Sequence, residues 1–347
     1  MLKNFLGKFS KDLGIDLGTS NTLIYVKDRG IVINEPSIVA INNRTGQILA
    51  VGREAREMVG KTPPHIEICR PLLKGIIFDF EVTEKMLRFF IDKVHEGKFN
   101  FMPRPRVVIG VPLEITEVER KAVEDAALSA GAREVFLVEE PMAAAIGARL
   151  PIEEPDGNLI VDVGGGTTQI SVISLSGIVT WKAITIAGDE LNKNIIQYTK
   201  EVFGLLLGEG HAENIKQRIA SAYRLDERQQ IQMRGRDIAT GLPKEIIVSD
   251  DHIREAISGS IKIIVDNIKA ALEATPPELV ADIYERGLVL AGGGALLRGL
   301  DKLIAEFTSI PVRIADEPLA CVVRGTGALL NNPALLKEVS LESEYTL

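Results

Sequence analysis

The feature that most limits how this chain can fold is an internal repeat. Residues 15–26 read Ile-Asp-Leu-Gly-Thr-Ser-Asn-Thr-Leu-Ile-Tyr-Val, and residues 161–172 read Val-Asp-Val-Gly-Gly-Gly-Thr-Thr-Gln-Ile-Ser-Val. At one constant offset Asp16 aligns with Asp162, Gly18 with Gly164, Thr22 with Thr168, Ile24 with Ile170 and Val26 with Val172. Two copies so widely spaced do not make a solenoid, whose period is roughly 20–50 residues. They describe one α/β unit duplicated, and 347 residues suit about two domains of ordinary size.

Each copy reads as strand, tight turn, strand. Apolar runs (Leu13 to Leu17, Leu159 to Val163) precede a small-residue turn, and alternating segments follow it (Thr22 to Val26, Gln169 to Ile173), the period of a strand. A second turn, Ser174 to Gly177, leads into Ile178 to Trp181. Each half therefore opens with an antiparallel hairpin, unlike the β-α crossover of a dinucleotide fold.

Further elements follow from local chemistry. Arg106 to Val111 and Val135 to Val138 read as buried strands. Thr116 to Ala130 reads as a helix, with Thr116 as N-cap, Glu119 completing a capping box and Gly131 as C-cap. Pro141 suits the first position of the next helix, Met142 to Arg149. His252 to Thr275 carries a long helical pattern closed by Pro276-Pro277, and an apolar strand, Gly287 to Ala291, runs into Gly292-Gly293-Gly294 and a helix from Ala295.

The two turns carry the chemistry. Clustered backbone N–H groups bind polyphosphate, and glycine lets the backbone approach it closely. Gly18-Thr19-Ser20-Asn21 and Gly164-Gly165-Gly166-Thr167 both offer that, with small hydroxyls added. Asp16 and Asp162 interrupt apolar strands, where a carboxylate needs a cation or donors. Mg²⁺ on a polyphosphate uses one or two carboxylates and keeps several waters, so both aspartates are expected on the metal side, through water. The structural alternative is an Asx cap on each turn. Glu140 opens a helix, where it acts either as a cap or as the group orienting a water toward the γ-phosphate, with Thr167 as second holder. Gly292, Gly293, Gly294, Ala295 and Leu296 are placed to pass along a ribose or base. Glu213 and Lys216 share a helical face, as an ordinary ion pair or as adenosine contacts.

Together these motifs resemble the actin–Hsp70–sugar kinase superfamily, and within it the MreB-type bacterial actins. The stretches Gly30-Ile-Val-Ile-Asn-Glu-Pro-Ser37, Glu139-Glu-Pro-Met-Ala-Ala-Ala-Ile-Gly147, Ala271-Leu-Glu-Ala-Thr-Pro-Pro-Glu-Leu279 and Gly292-Gly-Gly-Ala-Leu-Leu-Arg-Gly-Leu300 are similar to that family, as are the two repeat copies. The resemblance implies an actin-like ATPase fold of four subdomains around ATP and Mg²⁺. Domain I would hold 1–150 plus 318–347 with a small insert at about 33–74. Domain II would hold 151–317 with an insert at about 182–243. It further implies slow ATP hydrolysis, antiparallel double protofilaments at the inner face of the cell membrane, maintenance of rod shape, and partnership with RodZ and the cell-wall elongation machinery. By motif position Glu140 and Thr167 match the water-positioning pair, Asp16 and Asp162 the metal-side aspartates, and Glu213 and Lys216 the adenosine contacts. Two positions depart: Gln169 stands where many relatives carry Glu, and Ala291 where they carry Thr. Both bear on hydrolysis rate and nucleotide preference.

The rival classes are a small-metabolite kinase, which needs an acceptor base beyond Glu140, and a chaperone ATPase, which needs a long further region. Forty basic against 48 acidic residues leave no overall electrostatic footprint for nucleic acid. Cys69 and Cys321 form no C-x-x-C and read as reduced cytosolic thiols. No run of about 18 apolar residues exists to span a membrane. The N-terminus nevertheless places Met1, Leu2, Phe5, Leu6 and Phe9 on one side of a helical wheel and Lys3, Lys8 and Lys11 on the other, the pattern of an interfacial helix; a frayed end or a segment folded on its own domain is the alternative. Phe99, Phe101 and Met102, on a loop flanked by basic residues, form a second candidate lipid contact.

Overall fold

The computed structural model describes residues 11–95 and 104–342. Leu2, Phe5, Leu6, Phe9, Phe99, Phe101 and Met102, the expected lipid contacts, lie outside them. The chain divides into two compact units. Unit 1 holds the described residues within Met1–Pro155, Ile173–Ile178 and Leu319–Leu347, and unit 2 holds Asp156–Val172 and Val179–Pro318.

The strands of the two main sheets are numbered here in chain order, with the helices that matter to the site. Unit 1 runs β1 (Leu13–Leu17), β2 (Asn21–Val26), β3 (Gly30–Pro36), α1 (Phe80–His95), β4 (Arg106–Val111), α2 (Glu117–Ser129), β5 (Glu134–Glu139) and α3 (Glu140–Gly147). Then come β6 (Asn158–Val163), β7 (Thr168–Ser174), β8 (Gly177–Ile184), α4 (Gly188–Phe203), α5 (Glu209–Ile219), α6 (Asp250–Glu273), β9 (Leu288–Ala291), α7 (Leu300–Thr308) and β10 (Val312–Ile314). Helix α8 (Cys321–Leu329) returns to unit 1.

The two sheets have the same connectivity. Unit 1 is ordered β5-β4-β1-β2-β3 and the second sheet β10-β9-β6-β7-β8. β1 pairs antiparallel with β2 and parallel with β4, which pairs parallel with β5. β6 likewise pairs parallel with β9, and β9 with β10. The repeat seen in the sequence is thus a repeated topology. Each unit also carries a smaller three-stranded sheet: Val39–Asn42, Gln47–Val51 and Ile66–Cys69 in unit 1, and Leu205–Leu206, Gln230–Asp237 and Pro243–Ser249 in unit 2.

Alternation along β1 explains where the core sits. Leu13, Ile15 and Leu17 join Met86, Leu87, Phe90 and Ile91 of α1 in one buried cluster, at the spacing of an amphipathic helix. Gly14 and Asp16 face the other way, and there α8 lies so close that a Cβ on Gly14 would come 2.7 Å from Gly327 N. In unit 2, Leu159, Val161 and Val163 of β6 pack with Ile253, Ile257, Ile261, Ile264 and Ile268 of α6, which leaves Asp162 on the opposite face. Burying each such side chain contributes roughly 1.5–3 kcal/mol.

Several boundaries differ from the sequence reading. Helix α3 begins at Glu140, with Glu139 as N-cap, because Pro141 fits the second helical position as well as the first. The capping box of Thr116 and Glu119 forms as expected, but Ala130 is the C-cap and Gly131 follows it at φ +118°. Proline does not end helical structure after α6: Pro277 starts a new helix, Pro277–Arg286. The residues after Gly292 form a single 3₁₀ turn, Gly293–Leu296, and the α-helix waits until Leu300, past Gly299 in the left-handed region.

Candidate functional site

In both sheets the parallel strands end on the same edge, the position where open α/β sheets bind ligands. Every predicted phosphate or metal residue falls on such an edge or in the turn that follows it.

In unit 1, Asp16 is the penultimate residue of β1 and pairs with Gly110 of β4. Gly110 pairs in turn with Val138 of β5, just before Glu140, which is buried. A Cβ on Gly110 would lie 3.4 Å from Glu140 Cγ, so the bare backbone of β4 lies between Asp16 on β1 and the β5 strand that leads into Glu140. Burial pushes the neighbouring Glu139 carboxyl above its usual value. The turn Gly18–Asn21 is braced from three sides. Ser37 Oγ donates to Gly18 O (2.6 Å), Ser37 N to Ser20 O (3.1 Å), and Gly75 N to Thr19 Oγ1 (2.8 Å). Thr22 and Ser37 join their hydroxyls at 2.9 Å.

In unit 2 the corresponding turn is held by Gly164 N donating to Thr167 O (2.9 Å) and Thr168 Oγ1 donating to Ile186 O (2.7 Å). The start of α4 locks onto it: Gly188 N donates to Gly164 O (3.1 Å) and Asp189 N to Gly165 O (2.8 Å). Among the described residues, the N–H groups of Thr19 and Ser20 in one turn, and of Gly165, Gly166 and Thr167 in the other, have no backbone acceptor. Donors left over in a rigid turn are what an anion requires.

Asp162 pairs with Ala291 across β6 and β9. It is buried, and desolvation drives its carboxyl up to about 6. A carboxylate buried this way needs a donor or a cation to offset its desolvation. Gly292 and Gly294 lie directly on β6, where a Cβ would come 2.2 Å from Asp162 Oδ1 and from Val163 Cγ1 respectively.

Glu213 and Lys216 on α5 do pair. Lys216 Nζ donates to Glu213 Oε2 (2.8 Å) and to Gly188 O (2.7 Å). The pair is therefore tied to the helix that grips the second turn. Burial would raise the Glu213 carboxyl, but Lys216, Asn192 and Gln217 together outweigh it and hold it below the usual range. Unit 2 thus assembles Asp162, Gly164–Thr167, Glu213, Lys216 and Gly292–Gly294 into one neighbourhood. Unit 1 assembles Asp16, Gly18–Asn21 and Glu140. Sequence reasoning missed Ser37, Gly75, Gly188 and Asn192, which brace these groups from distant segments. Only Gly188, before a helical pattern, left a local signal.

The family model for MreB/Mbl protein matches residues 10–338. The chain belongs to the MreB/Mbl family. It is 53% identical over 334 residues to the cell shape-determining protein MreB of Escherichia coli K12, covering 95% of this chain and 96% of that one. It is 50% identical over 325 residues to the cell shape-determining protein Mbl of Bacillus subtilis 168, covering 93% and 97%. Among solved structures, MreB5 of Spiroplasma citri bound to ADP superimposes with a TM-score of 0.89 at 37% identity, covering 95% of this chain and 98% of that one. The same protein bound to AMPPNP matches equally. A MamK double helical filament gives a TM-score of 0.79 at 24% identity over 93% and 99% of the two chains, a likeness of fold. The fold is actin-like, and the family membership does not favour the kinase and chaperone alternatives.

Proposed function

We propose that this chain is an ATP- and Mg²⁺-dependent cytoskeletal protein that assembles with itself and sets rod cell shape. The observation that carries the nucleotide part is the pairing, in each duplicated unit, of a braced turn with unpaired N–H groups and an aspartate one strand-end before it. ADP and AMPPNP in the MreB5 structures support the same ligand here. The names of the MreB and Mbl relatives support the role in cell shape.

In this reading Gly18–Asn21 and Gly164–Thr167 hold the phosphates through backbone donors. Asp16 and Asp162, hard oxygen donors, fit Mg²⁺ through water, and Mg²⁺ when bound neutralises charge on the phosphates. Glu140 and Thr167 orient the attacking water. Phosphoryl transfer depends more on positioning than on a strong base, which suits a water-orienting role for Glu140 and slow hydrolysis. Glu213, Lys216 and the run Gly292–Leu296 take the adenosine. The domain limits that go with it are 1–150 plus 318–347, and 151–317.

Among the described residues no helix is long and apolar enough to cross a membrane. Membrane attachment in this proposal rests on Leu2, Phe5, Leu6 and Phe9 and on Phe99, Phe101 and Met102. Each subunit then holds the inner face of the membrane weakly, and assembly multiplies the hold by avidity. RodZ and the elongation machinery are the partners the family suggests.

Light scattering with ATP and Mg²⁺, followed with phosphate release, tests the proposal. Scattering that grows with ATP-Mg²⁺ and fails with EDTA is expected. Phosphate transferred to a sugar, with no assembly, would overturn it.

A further inference from the structure

Asn192 is a buried side chain with half of its hydrogen-bonding capacity unused. It sits on α4 and is 3% exposed. Its Nδ2 donates to Glu213 Oε2 at 2.7 Å. A carboxylate only accepts, so the amide nitrogen must face it, and the carbonyl oxygen is the group left over. Among the described residues that Oδ1 is buried with no hydrogen-bond partner. A buried acceptor left unpaired costs about 1–3 kcal/mol, and native interiors rarely keep one without a ligand or a water to fill it.

Its place on the helix says what the missing donor belongs to. Asn192 lies four residues after Gly188, hence on the same face and about 6 Å further along the axis. Gly188 is the residue whose N–H holds Gly164 O, and a Cβ there would lie 3.5 Å from Gly165 Cα. Asn192 is thus one helical turn away from the phosphate-binding turn, in the direction of Glu213. Between the phosphates and the base a nucleotide carries its ribose, whose hydroxyls are donors.

We propose that Asn192 is a ribose-positioning residue: Oδ1 accepts a hydrogen bond from one ribose hydroxyl while Nδ2 fixes the Glu213 carboxylate. The inference rests on the reading of this site as an ATP site and adds a residue to it. The arrangement makes the side chain a bridge. Lys216 and Gln217 hold the Glu213 carboxylate from its own helix, whereas Asn192 ties it to the helix that grips the phosphate turn.

The test is equilibrium binding of ATP, 2′-deoxy-ATP and 3′-deoxy-ATP to the full chain and to Asn192→Ala, read by competition with a fluorescent nucleotide. One neutral hydrogen bond is worth roughly 2- to 10-fold in affinity. Wild type should bind one of the deoxy analogues weaker than ATP by that factor, and in Asn192→Ala the ratio for that analogue should fall to about 1. A purely structural role would weaken all three nucleotides alike and keep the ratio, which overturns the proposal. Equal binding of all three by wild type overturns it too, whether or not the variant folds. If wild type binds no ATP at all, the ATP-site reading falls and this inference with it.

Discussion

Gly292 stands against Asp162 with no room for a side chain between them. A Cβ on Gly292 would lie 2.2 Å from Asp162 Oδ1 and 2.4 Å from the carbonyl oxygen of Val163, and its φ of +76° is one that other residues resist. Gly292→Ala therefore meets a steric clash and about 1–2 kcal/mol of left-handed backbone strain. The expected outcome is a lower melting temperature together with at least about 10-fold weaker ATP binding, as a 1.4 kcal/mol loss implies. Normal binding by the variant would show that the carboxylate and the third glycine run do not share a ligand.

Asp162→Asn keeps the shape of the side chain and removes its charge. If the carboxylate faces the cation, Mg²⁺ should stop improving ATP affinity, while binding of ADP in EDTA stays near the wild-type level. Calorimetric titrations with and without Mg²⁺ separate the two. An unchanged Mg²⁺ effect would return Asp162 to a structural role.

Glu140→Ala should slow phosphate release by roughly 10²-fold with little change in ATP affinity, the scale expected of a group that positions a reactant. Its carbon stem packs against Gly110, so Glu140→Gln, which keeps the stem, serves as the control for packing. Loss of ATP binding in both variants contradicts the assigned role.

The ion pair of Glu213 and Lys216 predicts an acid response. The Glu213 carboxyl sits below its ordinary 4.5 in the folded chain, so its favourable contribution is present above 4.5 and is lost as pH falls through the lower, folded value. Melting curves of the nucleotide-free protein from pH 7 to pH 3 should show a drop at the acid end. Lys216→Met should start less stable at pH 7 and lose less on acidification. Parallel curves for the two proteins would remove the pair from the account.

Membrane attachment should depend on assembly. In liposome pelleting, wild type with ATP-Mg²⁺ should sediment with anionic vesicles, and a variant that cannot polymerise should sediment several-fold less. Equal pelleting would mean that a single subunit suffices.

The chain itself discloses some of this and hides the rest, for physical reasons. Asp16 and Asp162 are legible because a charge inside an apolar strand breaks a strong local pattern, and the repeat makes the break appear twice. The capping box of Thr116 and Glu119 is legible because both partners lie within one helical turn. Asn192 is not: an Asn inside a helical pattern looks like any surface Asn, and its partner Glu213 is reached only once two helices pack. Gly75 is hidden in the same way, since its N–H meets Thr19 across 56 residues of chain. The run after Ala291 misleads because an apolar strand followed by glycines and Ala-Leu-Leu favours a helix start. There, contact of Gly292 and Gly294 with β6 holds the backbone in a tighter turn instead.

Helix α8 belongs to the first unit but is translated after all of the second. It crosses α3 so closely that a Cβ on Gly147 would lie 1.9 Å from Cys321 O, and one on Gly325 would lie 1.8 Å from Ala143 O. Gly327 presses in the same manner on the Tyr25 ring. While the ribosome is still at work on residues 179–318, the nascent N-terminal sheet therefore has an uncovered flank along Gly14 and Tyr25. Its closure is postponed to the end of synthesis, and a message truncated before Cys321 would release a polypeptide with that flank open to chaperones and proteases.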